Sequence, residues 1–506
     1  MSSLPARPAM PRRGFLLGAA SVAFLSACPS IARAADAGPA ARLKPSDWLE
    51  LERALQGGRI ILPGSKGYPE LSVGYNGAYE NLRPAGIIWC AGAPDVVAGV
   101  NWCRARGIEP KIRSGGHCYA GFSMTDGVMI STGGITQGAR VDGDGTVFLP
   151  GGLMNGHVYS LLRRHNVALT TGRCTTVGLS GFLLGGGIGF SMRNWGVASD
   201  LLLETEVVLA DGRKVIATPD GPDGQLFWAC TGGSGNNFGV NTAFRLKTMP
   251  VSTVTVFQIQ WGFAGGKEHA VARALLRDLT TADNKFGSRL SLKARPPGPD
   301  NTTVAIDLIG QYVGAPAYVE KLLSGAMRAG RPIKKVIRTM AYWKAQDFLS
   351  EDDTLDRFHE RSAFVAGSLS DEALDQAYGF LEKFPGRTNG THADFRFFQT
   401  GGKMNKPDRE SAFVHRRSDW LMDAGMSWAP AAPVAEIEGC IDWQNAFFER
   451  MWREGTGGAF QNFADPALQN PQAAYYGDAL DRLKQVKKTY DPGNMFNYAQ
   501  SIPVAA

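Results

Sequence analysis

Little in this 506-residue sequence points to nucleic acid, to a metal site or to a membrane span. Charge of one sign is not in excess. The 53 Lys and Arg against 47 Asp and Glu give a formal +6, which falls to +2 for residues 35–506 because residues 1–34 hold four arginines and no acid. Such a chain has no basic footprint for nucleic acid. The seven cysteines, at 28, 90, 103, 118, 174, 230 and 440, have no spacing suited to zinc or to a compact disulfide framework. His157 and His165 lack Cys or carboxylate companions and read as packing or surface residues. The apolar stretch from Gly14 to Ala27 is too short to cross a bilayer, so no transmembrane span is expected. Two enzyme signatures also fail. Gly232-Gly233-Ser234-Gly235 is followed by Asn236 and breaks the G-x-S-x-G of serine hydrolases. The Gly185–Gly189 run does not fit the G-x-G-x-x-G spacing of a dissociable nicotinamide site.

Glycine, by contrast, is abundant: 62 of 506 residues, against a usual ~7%. Much of it sits in two loops. The first, Arg113-Ser114-Gly115-Gly116-His117 through Tyr119 and Gly121 to Ser123, is too Gly-rich for a helix and too polar for a core strand. Its backbone N–H groups are therefore available to a ligand, consecutive glycines let the main chain approach closely, and Arg113 supplies a cation. The second runs from Gly172 through Arg173 and Cys174 to Gly189. Two anion-cradling loops, one led by His and one by Cys, call for one large ligand.

Further along stand Trp195-Gly196-Val197-Ala198-Ser199-Asp200, Leu226-Phe227-Trp228-Ala229, the Gly232–Gly239 loop with Asn237 and Phe238, and Tyr490-Asp491-Pro492-Gly493-Asn494-Met495-Phe496 leading to Gln500-Ser501-Ile502-Pro503. With the two loops, these segments resemble the berberine-bridge-enzyme-like branch of the vanillyl-alcohol oxidase, or PCMH-type, FAD-linked oxidases. The resemblance implies FAD attached twice, through His117 and Cys174. It implies a flavin site made by Arg113, Ser114, Gly115, Gly116, His117, Gly121 and Ser123, by Cys174, Val177, Gly178, Gly181, Gly185, Gly187 and Gly189, and by Gly239, Val240, Asn494 and Phe496. Val177, three residues after the flavin cysteine, takes the position that lines the oxygen pocket in the family, where a small branched residue goes with oxidases.

The implied fold is α+β. Residues 35–250 form the FAD-binding domain of two α/β subdomains, residues 251–474 a substrate domain with an antiparallel sheet roofing the flavin, and residues 475–506 a return to the first domain. Local patterns agree with that division. Gly86 to Arg113 reads as a β-α-β unit, with Pro94 starting its helix and Gly107 ending it. A helix near Asn155–His165 and a strand from Val167 to Thr170 deliver the Cys loop, and Glu204–Thr218 reads as a hairpin with a two-residue Asp211-Gly212 turn. After Pro250, strand-like runs alternate with helical ones, and Pro296-Pro297-Gly298-Pro299 reads as a rigid loop. In the helix after Tyr475, Arg482, Lys484, Lys487 and Lys488 read as one solvated face.

The first 34 residues are expected to be removed. Arg12-Arg13, the apolar run to Ala27 and Ala32-Arg33-Ala34 make a twin-arginine export signal with a cleavage site before Ala35, so a periplasmic or secreted protein is expected. Leu25-Ser26-Ala27-Cys28 also resembles a lipoprotein box, which would leave a lipid anchor on Cys28. Without Cys28 and with Cys174 holding flavin, five cysteines remain, and at least one has no intramolecular partner.

The expected activity is removal of a hydride from an alcohol carbon of a small-molecule substrate, a sugar or oligosaccharide, with electrons passed to O2. An alkaloid or polyketide is the alternative substrate, and a non-catalytic flavin-binding protein the alternative of another kind. For the base, many relatives carry Tyr-x-Asn-Tyr; here the run is Phe460-Gln461-Asn462-Phe463, with no phenol. The family's other option is a carboxylate on the strand that ends in a tryptophan after a His-Arg pair. Counting back from Trp428, beyond His415-Arg416, gives Asp423, with Asp419 as a rival. Tyr119 matches a family tyrosine that hydrogen-bonds this base, and Phe460 and Phe463 would desolvate it.

Overall fold

The computed structural model describes residues 39–262, 268–294, 304–351 and 356–506. The expectations for Arg12-Arg13, Cys28 and the 296–299 loop fall outside the described residues. Strands follow the chain as β1 (Arg59–Ile61), β2 (Gly86–Trp89), β3 (Lys111–Arg113), β4 (Val128–Ser131), β5 (Arg140–Val141), β6 (Thr146–Pro150), β7 (Val167–Ala168), β8 (Leu202–Val208), β9 (Lys214–Ala217), β10 (Val240–Lys247), β11 (Met249–Pro250), β12 (Thr253–Trp261), β13 (Phe286–Ala294), β14 (Val304–Tyr312), β15 (Lys334–Ala341), β16 (Arg357–Val365), β17 (His392–Gln399) and β18 (Trp420–Trp428).

The first sheet has the order β1-β2-β4-β3, with β2, β4 and β3 parallel. Helix Ala93–Ala105 is the crossover between β2 and β3. Pro94 opens it, the buried Asp95 accepts the N–H groups of Ala91 and Gln56, and Gly107 leaves it at φ +62°. Parallel strands place their carboxyl ends on one side, so Arg113 at the end of β3 delivers the His loop there. The second sheet, β5-β6-β10-β8-β9, is antiparallel, and helix Asn155–Arg164 with the short β7 leads into the Cys loop. The β8–β9 hairpin forms, but not around a two-residue turn. Leu209 N donates to Arg213 O and Gly212 N to Leu209 O, and of Asp211 and Gly212 only Gly212 has positive φ. The link is thus a three-residue loop, because a primed two-residue turn would need Asp211 at positive φ as well.

The third sheet is antiparallel and seven-stranded, β15-β12-β14-β13-β17-β18-β16. Its alternation is strict enough to assign both faces. Leu290, Leu292, Phe395, Phe397, Trp420, Met422, Ala424, Ala363 and Val365 join an apolar core with helices Glu268–Thr280, Asp371–Leu381 and Val434–Trp452. The intervening positions, Arg289, Asp394, Arg396, Asp423, Gly425 and Glu360, point the other way, towards the two glycine-rich loops.

The C-terminal helix Leu480–Tyr490 corrects one expectation: Lys487 is fully buried rather than part of a solvated face. Its Nζ donates to Asp491 Oδ2, Asn237 O and Phe496 O, each at 2.6 Å. Asp491 in turn accepts the N–H groups of Met495 and Phe496. Helical spacing cannot reveal this, because the partners come from the chain's turn and from a loop some 250 residues away. Among the described residues no two cysteines form a disulfide.

Removing one partner of a buried ion pair leaves the other charge uncompensated. Lys487→Ala is therefore expected to cost about 3–5 kcal/mol in chemical denaturation. A Lys487→Met, Asp491→Leu double change recovers only part of it, because two backbone N–H groups then lack their acceptor.

Candidate active site

A cavity of about 530 Å³ lies between the two glycine-rich loops and the polar face of the third sheet. The loops meet backbone to backbone. A Cβ on Gly115 would collide with Gly178 N, and one on Gly178 with Gly115 N and the Ser114 side chain, so only glycine at both positions allows the contact. His117 Nε2 then reaches Thr176 Oγ1 at 2.7 Å, two residues beyond Cys174, while the imidazole stacks on Tyr75 with ring centroids 3.8 Å apart. The Cys174 thiol lies 3.6 Å from Glu351 Oε2, and Glu351 Oε1 pairs with both Arg173 and Arg289. His117 and Cys174 line one cavity.

The wall suits FAD. Among the described residues Ser123 Oγ and Asn236 Oδ1 are buried on it without a hydrogen-bond partner, and the cavity's size and its Gly-loop floor suit a long ligand carrying phosphates. Of the expected flavin residues, Ser114, Gly115, Gly116, His117, Ser123, Cys174, Val177, Gly178, Gly181, Gly189 and Gly239 line it. The remainder stand behind the wall. Arg113 turns away and donates to Leu71 O at 2.8 Å and Val73 O at 2.5 Å, so its guanidinium anchors backbone instead of offering a cation to the ligand. Gly121 packs on Tyr79, Gly185 on the Asn462 side chain, and Gly187 on Phe182 and Ala198. Val240 and Phe496 belong to the apolar core beside the first sheet, and Asn494 sits at φ +51° in the C-terminal turn.

Opposite the loops the wall is charged. Gly425 lies at the centre of β18, in register with Glu360 on β16 and Asp394 on β17. A Cβ there would strike both the Arg396 guanidinium and the Glu360 carboxylate, and without one the two side chains meet above the strand. Arg396 donates to both Glu360 oxygens at 2.5 Å and lies 3.2 Å from Asp423 Oδ2. Glu360, Asp394, Arg396 and Arg289 line the cavity; Asp423, wholly buried, sits beneath them and does not. Burial, only partly countered by Arg396 and reinforced by Glu360, pushes the Asp423 carboxyl well above the usual carboxylate range. Asp419 lies just before β18, where its carboxylate accepts Gly367 N–H at 2.7 Å, and it is not on the wall.

Tyr119 does line the cavity, stacked on Phe463 at 5.1 Å and edge-on to Phe358 at 4.9 Å. Burial first, and Glu360 next, push its phenol up. Among the described residues no hydrogen bond joins it to Asp423. Asn76 instead fixes its backbone, donating to Tyr119 O and Phe358 O and so tying the His loop to β16. Phe460 and Phe463 are on the wall, and Phe460 N donates to Ser362 Oγ, the register partner of Asp423. Val177 is half-buried on the wall, its carbonyl taken by Asn155 N–H. Glu360, Asp394, Arg396 and Arg289 had not been singled out from the sequence. For Asp394 and Arg396 the signal is charge inside an apolar run, Asp394-Phe395-Arg396-Phe397-Phe398, whereas the strands of Glu360 and Arg289 mix polar and apolar residues and carry no such signal.

Two family models match the chain: FAD binding domain over residues 84–218, and berberine and berberine like over residues 459–503. The chain is 27% identical over 463 residues to the uncharacterised FAD-linked oxidoreductase YgaK of Bacillus subtilis, covering 90% of this chain and 98% of that one. It is 26% identical over 466 residues to a glucooligosaccharide oxidase of Sarocladium strictum, covering 85% and 90%. Among solved structures it is similar in fold to the Acremonium strictum glucooligosaccharide oxidase with a 6-S-cysteinyl, 8α-N1-histidyl FAD, at a TM-score of 0.78 and 23% identity over 90% of this chain and 99% of that one.

If the glycine contact aligns the loops, Gly178→Ala is expected to lower stability by about 1–3 kcal/mol, the usual scale of overpacking, and to reduce bound flavin in the purified protein. Gly379→Ala is the control. Nothing lies within 4 Å of its Cβ position in helix Asp371–Leu381, and it should leave flavin content unchanged.

Proposed function

Because the chain belongs to the berberine-bridge-enzyme-like members of the PCMH-type FAD-linked oxidase family and is an FAD-linked oxidoreductase, we propose that it oxidises an alcohol or hemiacetal carbon of a sugar or oligosaccharide and reduces O2 to H2O2. The observation that carries the substrate class is the wall across from the glycine-rich loops. It is built from Arg289, Glu360, Asp394 and Arg396, and Arg289 Nε and Asp394 Oδ1 are buried there with no hydrogen-bond partner among the described residues. Buried polar atoms without partners are costly, and a polyhydroxy substrate satisfies them where an apolar one would not. The second reading, a flat alkaloid or polyketide, draws on the stacked Tyr119 and Phe463 rings. A non-catalytic flavin binder would have no reason to keep ionisable groups on that wall.

FAD, when bound, supplies the hydride acceptor and the route of electrons to oxygen. The rest falls to the chain. His117 and Cys174 are the proposed attachment points, the Gly115–Gly178 contact sets the spacing of the loops that carry them, and Val177 keeps room for oxygen. Arg289, Asp394 and Arg396 orient hydroxyl groups, while Tyr119, Phe460 and Phe463 exclude water from the reacting carbon. Export through the Arg12-Arg13 leader is part of the same proposal. Among the described residues no helix is long and apolar enough to cross a membrane.

The direct test of activity is anaerobic bleaching of the purified yellow protein by a panel of sugars, oligosaccharides and aromatic alcohols. Bleaching by saccharides is expected, and bleaching by aromatic alcohols alone would transfer the assignment to the second reading. Double attachment is checked by denaturation. Flavin should stay with the native chain and with Cys174→Ala, and leave only when His117 is replaced as well. Val177→Leu should slow reoxidation of the reduced flavin by air more than its reduction by substrate.

A further inference from the structure

We propose that Glu360, rather than Asp423, takes the hydroxyl proton of the substrate, and that Asp423 works beneath it as a protonated, uncharged partner. The proposal deepens the alcohol-oxidase reading of the site and rests on it.

Geometry separates the two carboxyls first. Glu360 lines the cavity together with Arg396 and Gly425, whereas Asp423 lies two residue pairs along the ladder, opposite Ser362, under the wall and without access to the cavity. A proton acceptor has to come within hydrogen-bond reach of the hydroxyl it deprotonates. Only Glu360 can do so without movement of β18.

Charge separates them next. Across β18 one guanidinium, Arg396, faces two carboxyls. It gives its N–H donors to Glu360, at 2.5 Å to each oxygen, while its Nε, though 3.2 Å from Asp423 Oδ2, is not aligned to donate. Among the described residues neither Asp423 oxygen has a hydrogen-bond donor. A fully buried carboxylate with no donor is heavily penalised, whereas a protonated carboxyl there can donate to the neighbouring Glu360. The cluster then holds one positive charge, one negative charge and one proton between the acids. The pair's other neighbours do not displace that proton. Asp394 on β17 is itself ionised, since Arg396 and Lys293 outweigh its burial and hold its carboxyl below the usual range. Arg289 on β13 is engaged with Glu351, and Tyr119 from the His loop is a buried neutral phenol.

The step balances as follows. The substrate O–H bond breaks and its proton goes to Glu360. The C–H bond breaks and its hydrogen leaves with both electrons for the flavin. The remaining electron pair on oxygen closes the C=O bond. Arg396 stays ionised throughout and Asp423 keeps its proton, donating to whichever Glu360 oxygen is basic. Phe460 and Phe463 keep water from competing for the same carboxylate.

The experiment compares Glu360→Gln, Glu360→Asp and Asp423→Asn in the holoenzyme. Each is first checked for an intact flavin spectrum and a near-native thermal midpoint. Anaerobic flavin reduction by the best saccharide should fall ~10²-fold or more in Glu360→Gln, the scale of a general base, but less than about tenfold in Asp423→Asn, where Asn mimics the neutral acid. The acid limb of the pH profile should vanish in Glu360→Gln and persist in Asp423→Asn, with partial recovery of rate in Glu360→Asp. Infrared spectra without substrate supply an independent readout: a protonated-carboxyl stretch at neutral pH, lost in Asp423→Asn and retained in Glu360→Gln. The reverse ranking of rates, or loss of that stretch in Glu360→Gln alone, overturns the proposal. If no alcohol reduces the flavin, the oxidase reading fails separately, and the infrared stretch still decides which acid carries the proton.

Discussion

The contact between Gly115 and Gly178 is the constraint on which the site depends. Two loops that follow different strands, β3 and β7, can present His117 and Cys174 to one cavity only if their main chains approach to a distance that excludes any side chain. The secondary structure behind each loop is arranged to deliver that approach. A parallel β-α-β unit ends at Arg113, and a helix and short strand lead into Gly172. Arg113, by donating to Leu71 and Val73, braces the first loop from behind. The Lys487–Asp491 pair does the same for the Asn237 loop and the C-terminal turn, at the cost of burying two charges.

A second glycine does comparable work on the opposite wall. Gly425 opens a gap in the middle strand through which Glu360 and Arg396 meet, so three strands contribute to one charge cluster. The sheet's other face is conventional apolar core, and that rigidity matters because proton transfer tolerates little positional slack. Asn76, bound to both Tyr119 and Phe358, ties this wall to the His loop, as Glu351, paired with Arg173 and Arg289, ties it to the Cys loop.

What the sequence disclosed follows the range of the interactions involved. The two glycine-rich loops are local features, and His117, Cys174 and Val177 all reach the cavity as expected. The β-α-β unit and the strand-like runs at 251–261, 289–294 and 302–312 follow from short-range periodicity, whereas the full set of seven strands does not. Arg113 was misjudged in its direction, since adjacency in a loop does not say which way a long side chain turns. Lys487 looked solvated because helical spacing knows nothing of Asn237. Glu360 carries no signal in the sequence, since its strand mixes Arg357, His359, Arg361 and Ser362 with apolar residues and only the pairing of β16 with β18 sets it above Gly425. Asp423 was found by counting from Trp428, but counting cannot distinguish a residue on the wall from one beneath it.

In the proposed function one FAD is held by both loops. Proteolysis of the purified yellow protein followed by mass spectrometry of the flavin-bearing fraction tests this most directly. The proposed double attachment predicts a single species in which the His117 peptide and the Cys174 peptide are joined through one FAD. Recovery of both peptides unmodified, with flavin free in solution, would contradict it.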